Sequence, residues 1–367
     1  MLIFKVMKLT RQSVILIILL IICLILKWYS SSATRVEGYY STRFFPSFSG
    51  LLRKSFGWIG LSVGDILYGM VIAWFIYKFI KLIYQLFQKD AAQLKIKVRR
   101  NIYMIIVAGL LIYISFNLFW GINYNRKGIA FQLGLTELKY DAKDLRLINQ
   151  VLVQKVNLSK TSLVINKRTY PSHVALFQQA AKGYAGLTAA RPYLQYEPAS
   201  LKRSLWGWFG NYAGFTGYYN PFTGEAQVNT SVPQFLQPFT TSHEVAHQLG
   251  YAKELEANFV GYLAATSSAD TLFHYSAYLE LFMYANRNLA AVDSSAARSY
   301  RRMLIQPVKT DINEWATFNK NHRSFMEPIF RWVYGKFLQS NEQPQGMLSY
   351  DEVTGLLIAY YKKYGKI

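Results

Sequence analysis

Three long apolar runs in the first third of the chain constrain its fold more than any other feature. They cover about residues 13–29, 66–83 and 102–120. A helix of about 20 residues crosses the hydrocarbon core of a bilayer, which is roughly 30 Å thick. In lipid, every backbone N–H and C=O group must be paired within the protein, so a single crossing segment has to be helical. Residues 1–121 are therefore predicted to form an α-helical membrane anchor with three transmembrane helices.

The first run is the shortest and allows two interpretations. It follows the basic residues Lys5, Lys8 and Arg11. Small residues at positions 30–33 fit the cleavage site of a secretory signal peptide. Trp28 and Tyr29, by contrast, are typical of the membrane interface at the end of a spanning helix. We favour the spanning helix because two further runs follow, and cleavage stays open as the alternative.

Basic residues are concentrated beside the apolar runs. Residues 1–121 carry 15 Lys and Arg against three acids, a net charge of +12 out of +21 for the whole chain. The densest basic segment begins near the end of the second run, with Lys78 and Lys81, and continues between the second and third runs with Lys89, Lys95, Lys97, Arg99 and Arg100. Cytoplasmic loops are enriched in Lys and Arg, so this loop is predicted to be cytoplasmic and residues 122–367 to lie outside the cytoplasm. The same distribution disfavours nucleic acid as a partner and favours the lipid bilayer.

Within the predicted anchor, neither Cys23 nor Asp65 is expected to form part of a metal or ion site. The only cysteine, Cys23, lies within the first apolar run, so the chain forms no intramolecular disulfide and no cysteine-based zinc site. Any metal ion must be bound by histidines and carboxylates. Asp65, at the start of the second run, is expected to be a first-turn residue favoured by the helix dipole rather than part of an ion site.

The rest of the chain, residues 122–367, alternates helical and loop patterns and is predicted to be a mainly helical α+β domain. A helical pattern covers about residues 145–156. Residues 220–224 are typical of a turn that leads into a short strand at 225–230. The strand either binds an extended substrate by strand addition or is an ordinary strand of a sheet.

The pattern H-E-x-x-H occurs at His243, Glu244 and His247. The two histidines, four residues apart, lie on one face of a helix and are close enough to bind a single zinc ion. Glu244 beside them can reach a water molecule at the metal. The helix is expected to begin after Pro238 at a capping residue, one of Thr240, Thr241 and Ser242.

The residues after the motif supply candidates for a third ligand, because a catalytic zinc site needs three protein ligands and an open fourth position. Gly250 allows the helix to end soon after His247, so that the chain can turn back. Glu254 and Asn258 are four residues apart on the next predicted helix, so one can bind zinc while the other holds a histidine. Glu256 is the alternative ligand, although a helix presents it on a different face.

The E-x-x-A-N segment at residues 254–258, together with the preceding H-E-x-x-H, resembles the gluzincin metallopeptidases. The resemblance implies that Glu254 is the third zinc ligand and that Asn258 supports a ligating histidine. The gap from His247 to Glu254 is shorter than in most gluzincins, which leaves Glu256 as an alternative.

A longer part of the chain resembles a second family. Residues 243–263, the preceding segment at 220–226 and the three apolar runs are similar to an uncharacterised bacterial membrane family, domain of unknown function 3810. The resemblance covers most of the chain. It implies a multi-pass protein of the bacterial cytoplasmic (inner) membrane, without an established substrate.

Together these features predict a membrane-anchored zinc metallopeptidase with a zincin-like domain at residues 122–367. Zinc would polarise a peptide carbonyl and activate water, and Glu244 would take the proton of that water and pass it to the leaving amine. The expected partners are the lipid bilayer and a peptide or protein substrate. Two alternatives stay open: a non-catalytic membrane assembly factor with a structural zinc site, and a zinc hydrolase of a non-peptide substrate.

The sequence leaves open which residue stabilises the oxyanion. The candidates are Tyr251, Tyr275, Tyr284, Arg287 and His274. A chain with 28 tyrosines supplies such candidates by composition alone. His173 and His322 have no partner motif and are assigned no role.

Overall fold

The computed structural model describes residues 10–87, 91–136 and 139–367. Over these residues the protein is mostly helical and contains one small three-stranded sheet. The mainly helical α+β composition predicted from the sequence is thereby confirmed. Lys5 and Lys8, which precede the first apolar run, and Lys89 of the basic segment lie outside the described residues.

The amino-terminal third contains the candidate membrane helices. Its elements are α1 (Arg11–Ser30), α2 (Ala33–Arg35), a π-helix (Val36–Phe44), α3 (Phe45–Phe56), α4 (Val63–Leu86) and α5 (Ala91–Phe119). Helices α1, α4 and α5 are long and apolar enough to cross a membrane, and they include the three predicted spans. Many of their apolar side chains are exposed, which is typical of helices that face lipid. Both α1 and α4 pack against α5.

The segment between α1 and α4 packs against the carboxyl-terminal part of the chain. The hydroxyl of Ser49 donates to the carbonyl of Gln248 over 2.9 Å, and Arg53 Nε donates to the carbonyl of Pro198 over 2.9 Å. The sequence analysis assigned no structure to this segment. Its partners lie 199 and 145 positions away, and no local pattern reveals contacts of that range.

A buried ion pair joins the π-helix to the segment that follows α5. Arg126 donates from Nη2 to Glu37 Oε1 over 3.1 Å and from Nε to Oε2 over 3.2 Å. Glu37 also accepts hydrogen bonds from the backbone N–H of Lys127 and the side-chain amide of Gln132. Burial disfavours the charged form of Glu37, but the charge of Arg126 and these hydrogen bonds outweigh it and hold the pKa of Glu37 below its usual value.

After α5 the chain is again mainly helical. Its helices are a 3₁₀-helix (Gly121–Asn125), α6 (Gly128–Gln132), α7 (Ala142–Ile165), α8 (His173–Thr188), a 3₁₀-helix (Pro192–Leu194), α9 (Gly207–Ala213), α10 (Gln237–Gln248), α11 (Glu254–Ser267), α12 (Thr271–Val292), α13 (Ser294–Arg302), α14 (Gln306–Asn321), α15 (Met326–Ser340), a 3₁₀-helix (Gly346–Tyr350) and α16 (Val353–Tyr364). Helix α7 includes the predicted pattern at 145–156. Helices α10, α11 and α12 pack on one another and on α7, α8 and α16, and every residue of α10 is buried.

The sheet consists of β1 (Leu201–Arg203), β2 (Gly217–Asn220) and β3 (Glu225–Val228). The strand order is β1-β3-β2, with β3 parallel to β1 and antiparallel to β2. The predicted turn at 220–224 connects β2 to β3, and the strand predicted at 225–230 ends at Val228. Because β3 is the central strand, both of its edges are already paired. Strand addition at 225–230 is therefore excluded, and this segment is an ordinary sheet strand.

The sheet is attached to the amino end of α4. Glu225 of β3 accepts from the backbone N–H groups of Val63 (3.2 Å) and Gly64 (2.5 Å), which otherwise lack partners within the helix. Asp65 accepts from the backbone N–H of Leu205 over 2.6 Å and from the hydroxyl of Tyr218 over 2.5 Å. Asp65 is thus a first-turn residue of a helix, as expected, and it ties that helix to the sheet.

The buried pair generates a prediction about stability. Glu37→Ala should lower the free energy of unfolding by roughly 3–5 kcal/mol, because it leaves the charge of Arg126 buried without its partner. The matched control is Glu327→Ala, which breaks an exposed pair with Arg331 and should cost under about 1 kcal/mol. Thermal unfolding of the full chain in detergent compares the variants. Equal midpoints for the two would contradict the role given to the pair.

Candidate metal centre

Helix α10 carries the H-E-x-x-H motif. It begins at Gln237 with Pro238 in its first turn, so the predicted start at Thr240, Thr241 or Ser242 is wrong. Proline is tolerated in the first turn because the N–H group that it lacks would have no partner within the helix. The hydroxyl of Thr241, rather than capping the helix, donates to the carbonyl of Gln237 over 2.7 Å.

The chain turns back after α10, as the sequence predicted. Gly250 has a φ of 84°, in the left-handed region that glycine adopts without strain. Helix α11 then begins at Glu254 and packs against α10. As a result, Glu254 Oε2 lies 3.3 Å from His243 Nε2 and 3.6 Å from His247 Nε2.

These three side chains form a buried group that can bind a metal ion. One ligand atom from each of His243, His247 and Glu254 lies within 4.8 Å of the others. Apart from the two imidazoles, Oε2 of Glu254 meets no hydrogen-bond donor among the described residues. A buried carboxylate oxygen without a donor has acceptor capacity left for a cation. The three residues brought together are those that the sequence analysis selected as ligands.

Each histidine is held through its other ring nitrogen. His243 Nδ1 lies 2.8 Å from Asn258 Oδ1, and His247 Nδ1 lies 2.8 Å from the carbonyl oxygen of Tyr251. A carbonyl oxygen only accepts hydrogen bonds, so each Nδ1 carries a proton. Each Nε2 is therefore the atom available to a metal. Asn258 occupies the supporting position that the sequence assigned to it, and Tyr251 has the same role through its backbone.

The charges within the group stabilise one another. Burial disfavours the carboxylate of Glu254, but His247 and His243 outweigh this effect and hold the pKa of Glu254 well below its usual range. Burial also disfavours protonated His247, yet the charge of Glu254 raises the pKa of His247 to about 8. The surroundings of this carboxylate therefore favour a positive charge between the three side chains.

Glu244 lies beside the group without being part of it. Its Oε2 has no hydrogen-bond partner among the described residues. The carboxylate fits against Gly217, the first residue of β2, where a Cβ atom would lie 2.5 Å from Glu244 Oε1. Burial raises the pKa of Glu244 to about 7, although His243 and His247 oppose the increase. A carboxyl group with a pKa near neutrality can both accept and donate a proton.

The alternative ligand, Glu256, points to a different place. Its carboxylate lies against the amino end of α6, where a Cβ atom on Gly128 would lie 1.6 Å from Glu256 Oε1. The backbone N–H of Ile129 donates to it, and burial raises the pKa of Glu256. The fold thus brings Glu254, and not Glu256, to the histidines.

Three contacts with the centre come from distant residues that the sequence analysis missed. Tyr334 donates to Glu254 Oε1 over 2.7 Å, and the side chain of Gln343 accepts from the backbone N–H of Glu254 over 2.9 Å. Trp120 Nε1 donates to the carbonyl of His247 over 3.0 Å, and the two rings are 5.8 Å apart. Trp120 was recognisable only as the end of a span. Nothing in the sequence distinguishes Tyr334 or Gln343.

Most candidates for oxyanion stabilisation are engaged elsewhere. The side chains of four of them have other partners: Tyr251 with Gln132, Tyr275 with Asp311, Arg287 with Asp351, and His274 with the backbone carbonyl of Ser268. Tyr284 forms a hydrogen bond with Glu280, whose carboxyl group interacts electrostatically with His243. Among the side chains of these candidates, that of Tyr284 is therefore connected to the centre through Glu280. His173 and His322 lie outside the ligand group.

The sequence profile of one family, described as "Protein of unknown function (DUF3810)", matches residues 40–358. The chain belongs to this family. The matched region contains α4, α5, the sheet, α10 and α11, so the family includes two of the candidate spans and the whole metal centre. No curated protein and no solved structure is detectably similar to the chain.

The geometry predicts how the binding of added zinc responds to substitution. Glu254→Gln should lose zinc because the neutral amide is a weaker ligand, whereas the matched variant Glu256→Gln should retain it. His243→Ala and His247→Ala should also lose zinc, and Asn258→Ala should weaken zinc binding by roughly 10–100-fold. Zinc content of the full-length protein after dialysis measures each effect. Retention by Glu254→Gln with loss by Glu256→Gln would reverse the assignment.

Proposed function

We propose that the protein is a membrane-anchored zinc metallopeptidase with a gluzincin-like site in a zincin-like domain. The observation that carries the proposal is the buried carboxylate of Glu254 beside the Nε2 atoms of His243 and His247. Two imidazoles and one carboxylate form the ligand set of known catalytic zinc sites, in which the fourth position is open. Glu244, a second buried carboxylate, lies next to this set.

Residues of the chain would orient the metal ligands and transfer the protons. A zinc ion bound there supplies a Lewis acid that polarises a peptide carbonyl and acidifies water. Asn258 and the carbonyl of Tyr251 orient the two histidines. Glu244 accepts a proton from the attacking water and returns it to the leaving amine, a role that suits a carboxyl group whose pKa burial raises to about 7.

The surroundings of Glu244 support catalysis over a purely structural zinc site. Structural sites use four protein ligands, whereas the group found among the described residues has three. A buried polar atom without a partner destabilises a fold. Oε2 of Glu244 has no hydrogen-bond partner among the described residues, and its position beside the two histidines suits a role in proton transfer.

The edge of the sheet offers a place for an extended peptide. Strand β2 lies at one edge of the sheet, and its first residue, Gly217, contacts Glu244. A substrate added as a strand along β2 would have its backbone fixed by main-chain hydrogen bonds beside the proposed base. This arrangement supports a peptide or protein substrate.

We further propose that the metal centre lies outside the cytoplasm, with the protein anchored in the bacterial cytoplasmic (inner) membrane. Lys95, Lys97, Arg99 and Arg100 lie in the amino-terminal part of α5. The positive-inside rule assigns this end of α5 to the cytoplasm. The opposite end of α5 leads through Trp120 directly to the metal centre.

The mechanism predicts that Glu244→Gln keeps zinc and fold but loses hydrolysis. The amide preserves the shape of the side chain but cannot accept the proton of water, and general-base contributions are typically about 10²–10⁴-fold. Cleavage of an unbiased peptide library by the full-length protein measures the effect, with Glu256→Gln as the matched control. Equal cleavage by native protein and Glu244→Gln would exclude Glu244 as the base.

Complementation separates the remaining functions. A deletion phenotype restored equally by native protein and Glu244→Gln would favour the non-catalytic assembly factor. Hydrolysis of a non-peptide ester or amide by native protein but not by Glu244→Gln, without peptide cleavage, would favour the non-peptide hydrolase.

The topology is tested by reporters fused after Ile367. We expect a reporter that is active only outside the cytoplasm to be active, and a reporter that is active only in the cytoplasm to be silent. The same fusions placed after Phe87, between α4 and α5, are the control and should give the reverse result. The reverse result at Ile367 would show that the orientation is wrong.

A further inference from the structure

One face of α15 packs on the rest of the protein. The ring of Phe330 lies 5.2 Å from that of Phe209 in α9, and the ring of Phe337 lies 5.9 Å from that of Phe116 in α5. Between them, Tyr334 donates its hydrogen bond to the carboxylate of the metal centre. These three residues of α15 are spaced i, i+4 and i+7, as expected for one face of a helix.

A second face of α15 is apolar and exposed. Its side chains follow the i, i+4, i+7 and i+8 spacing of a single stripe and are between 51% and 81% exposed. Together with two exposed residues at α9 they form what we call the α9–α15 surface: Leu205, Trp208, Phe325, Ile329, Trp332 and Val333. A contiguous apolar surface of this kind marks contact with a partner or a membrane.

This surface is continuous with the membrane helices. On its α9 side, Trp206 Nε1 donates to the carbonyl of Asp65 in the first turn of α4 over 3.2 Å, and a Cβ atom on Gly69 would lie 3.2 Å from the indole ring. On its α15 side, Phe337 meets Phe116, one turn before the end of α5. Because α4 and α5 are consecutive spans, the start of α4 and the end of α5 lie on the same side of the membrane. The α9–α15 surface thus lies beside the start of α4 and the end of α5.

We propose that the α9–α15 surface is immersed in the leaflet next to the C-terminal domain, with lipid acyl chains and the headgroup region as its partner. A helix with one apolar stripe on an otherwise polar exterior lies in the plane of the interface. Tryptophan is enriched at this depth, and the surface presents Trp208 and Trp332. The contact is additional to the three spanning helices and does not depend on hydrolysis.

In this arrangement α15 lies between the bilayer and the metal centre. Its outward stripe meets lipid, while Tyr334 on its inward face bonds to Glu254. The metal centre is then within one helix diameter, roughly 10 Å, of the membrane surface.

Site-specific fluorescence in nanodiscs tests the proposal. In a Cys23→Ser background of the full chain, Ile329→Cys and Trp332→Cys are each labelled with an environment-sensitive fluorophore. The matched control is Ile165→Cys, an isoleucine that is 73% exposed at the end of α7. Nanodiscs of phosphatidylcholine and phosphatidylglycerol leave both membrane faces open to aqueous iodide, and nitroxide-labelled lipids supply the second quencher.

We expect labels at 329 and 332 to emit at shorter wavelength than the label at 165. Nitroxide lipids should quench them several-fold more strongly, and iodide several-fold less strongly. Iodide quenching at 329 and 332 equal to that at 165 would overturn the proposal. Protection from both quenchers would also overturn it, and would instead assign the surface to contact with protein. Nanodiscs loaded with one or with two chains would then show whether that protein is a second copy.

Discussion

The buried pair of Glu37 and Arg126 connects the part of the protein that contains the candidate membrane helices to the candidate metal centre. Besides binding Glu37, Arg126 Nη1 donates to the carbonyl of Gly250 over 3.2 Å, and its guanidinium lies 4.5 Å from the centre of the Tyr251 ring. The carbonyl of Tyr251 in turn fixes His247. Through Arg126, the ion pair therefore contacts the turn between α10 and α11 that brings Glu254 to the histidines. The candidate metal centre is thus connected to a residue, Glu37, that precedes it by two candidate spans.

The cost of burying charge explains how the carboxylates around the centre are arranged. An ionised carboxylate taken out of water requires a cation or several hydrogen-bond donors. Glu37 has Arg126, Glu256 has the amino end of α6, and Glu254 has two imidazoles. Glu244 and Glu256 each keep one carboxylate oxygen without a hydrogen-bond partner among the described residues, but only Glu244 lies beside the two histidines. The position of Glu244 next to the histidines, together with its free acceptor oxygen, distinguishes it from the other three carboxylates.

The parts of this structure that follow from short-range patterns could be predicted from the sequence. The three apolar helices, the turn at Gly250 and the alignment of Glu254 with Asn258 all depend on residues within about a helix length of one another. Short-range sequence patterns could not decide whether Glu254 or Glu256 lies beside the histidines. The carboxylate of Glu256 packs against α6, which is distant in the sequence. The start of α10 was misplaced because proline was read as a break, although a first turn accepts it. Sheet order and the contacts of Tyr334 are properties of tertiary packing alone.

The contacts of α3 have a consequence for the order in which the protein assembles. Ser49 and Arg53 leave the ribosome long before their partners, which are synthesised 199 and 145 residues later. In the proposed topology the chain crosses the membrane twice more in that interval, through α4 and α5. The segment that contains α3 must therefore wait, with its buried polar groups still solvated, until the later domain has been exported. The fold is therefore completed when α3, which is synthesised early, docks onto residues that are synthesised late. Contacts of such long sequence separation form slowly.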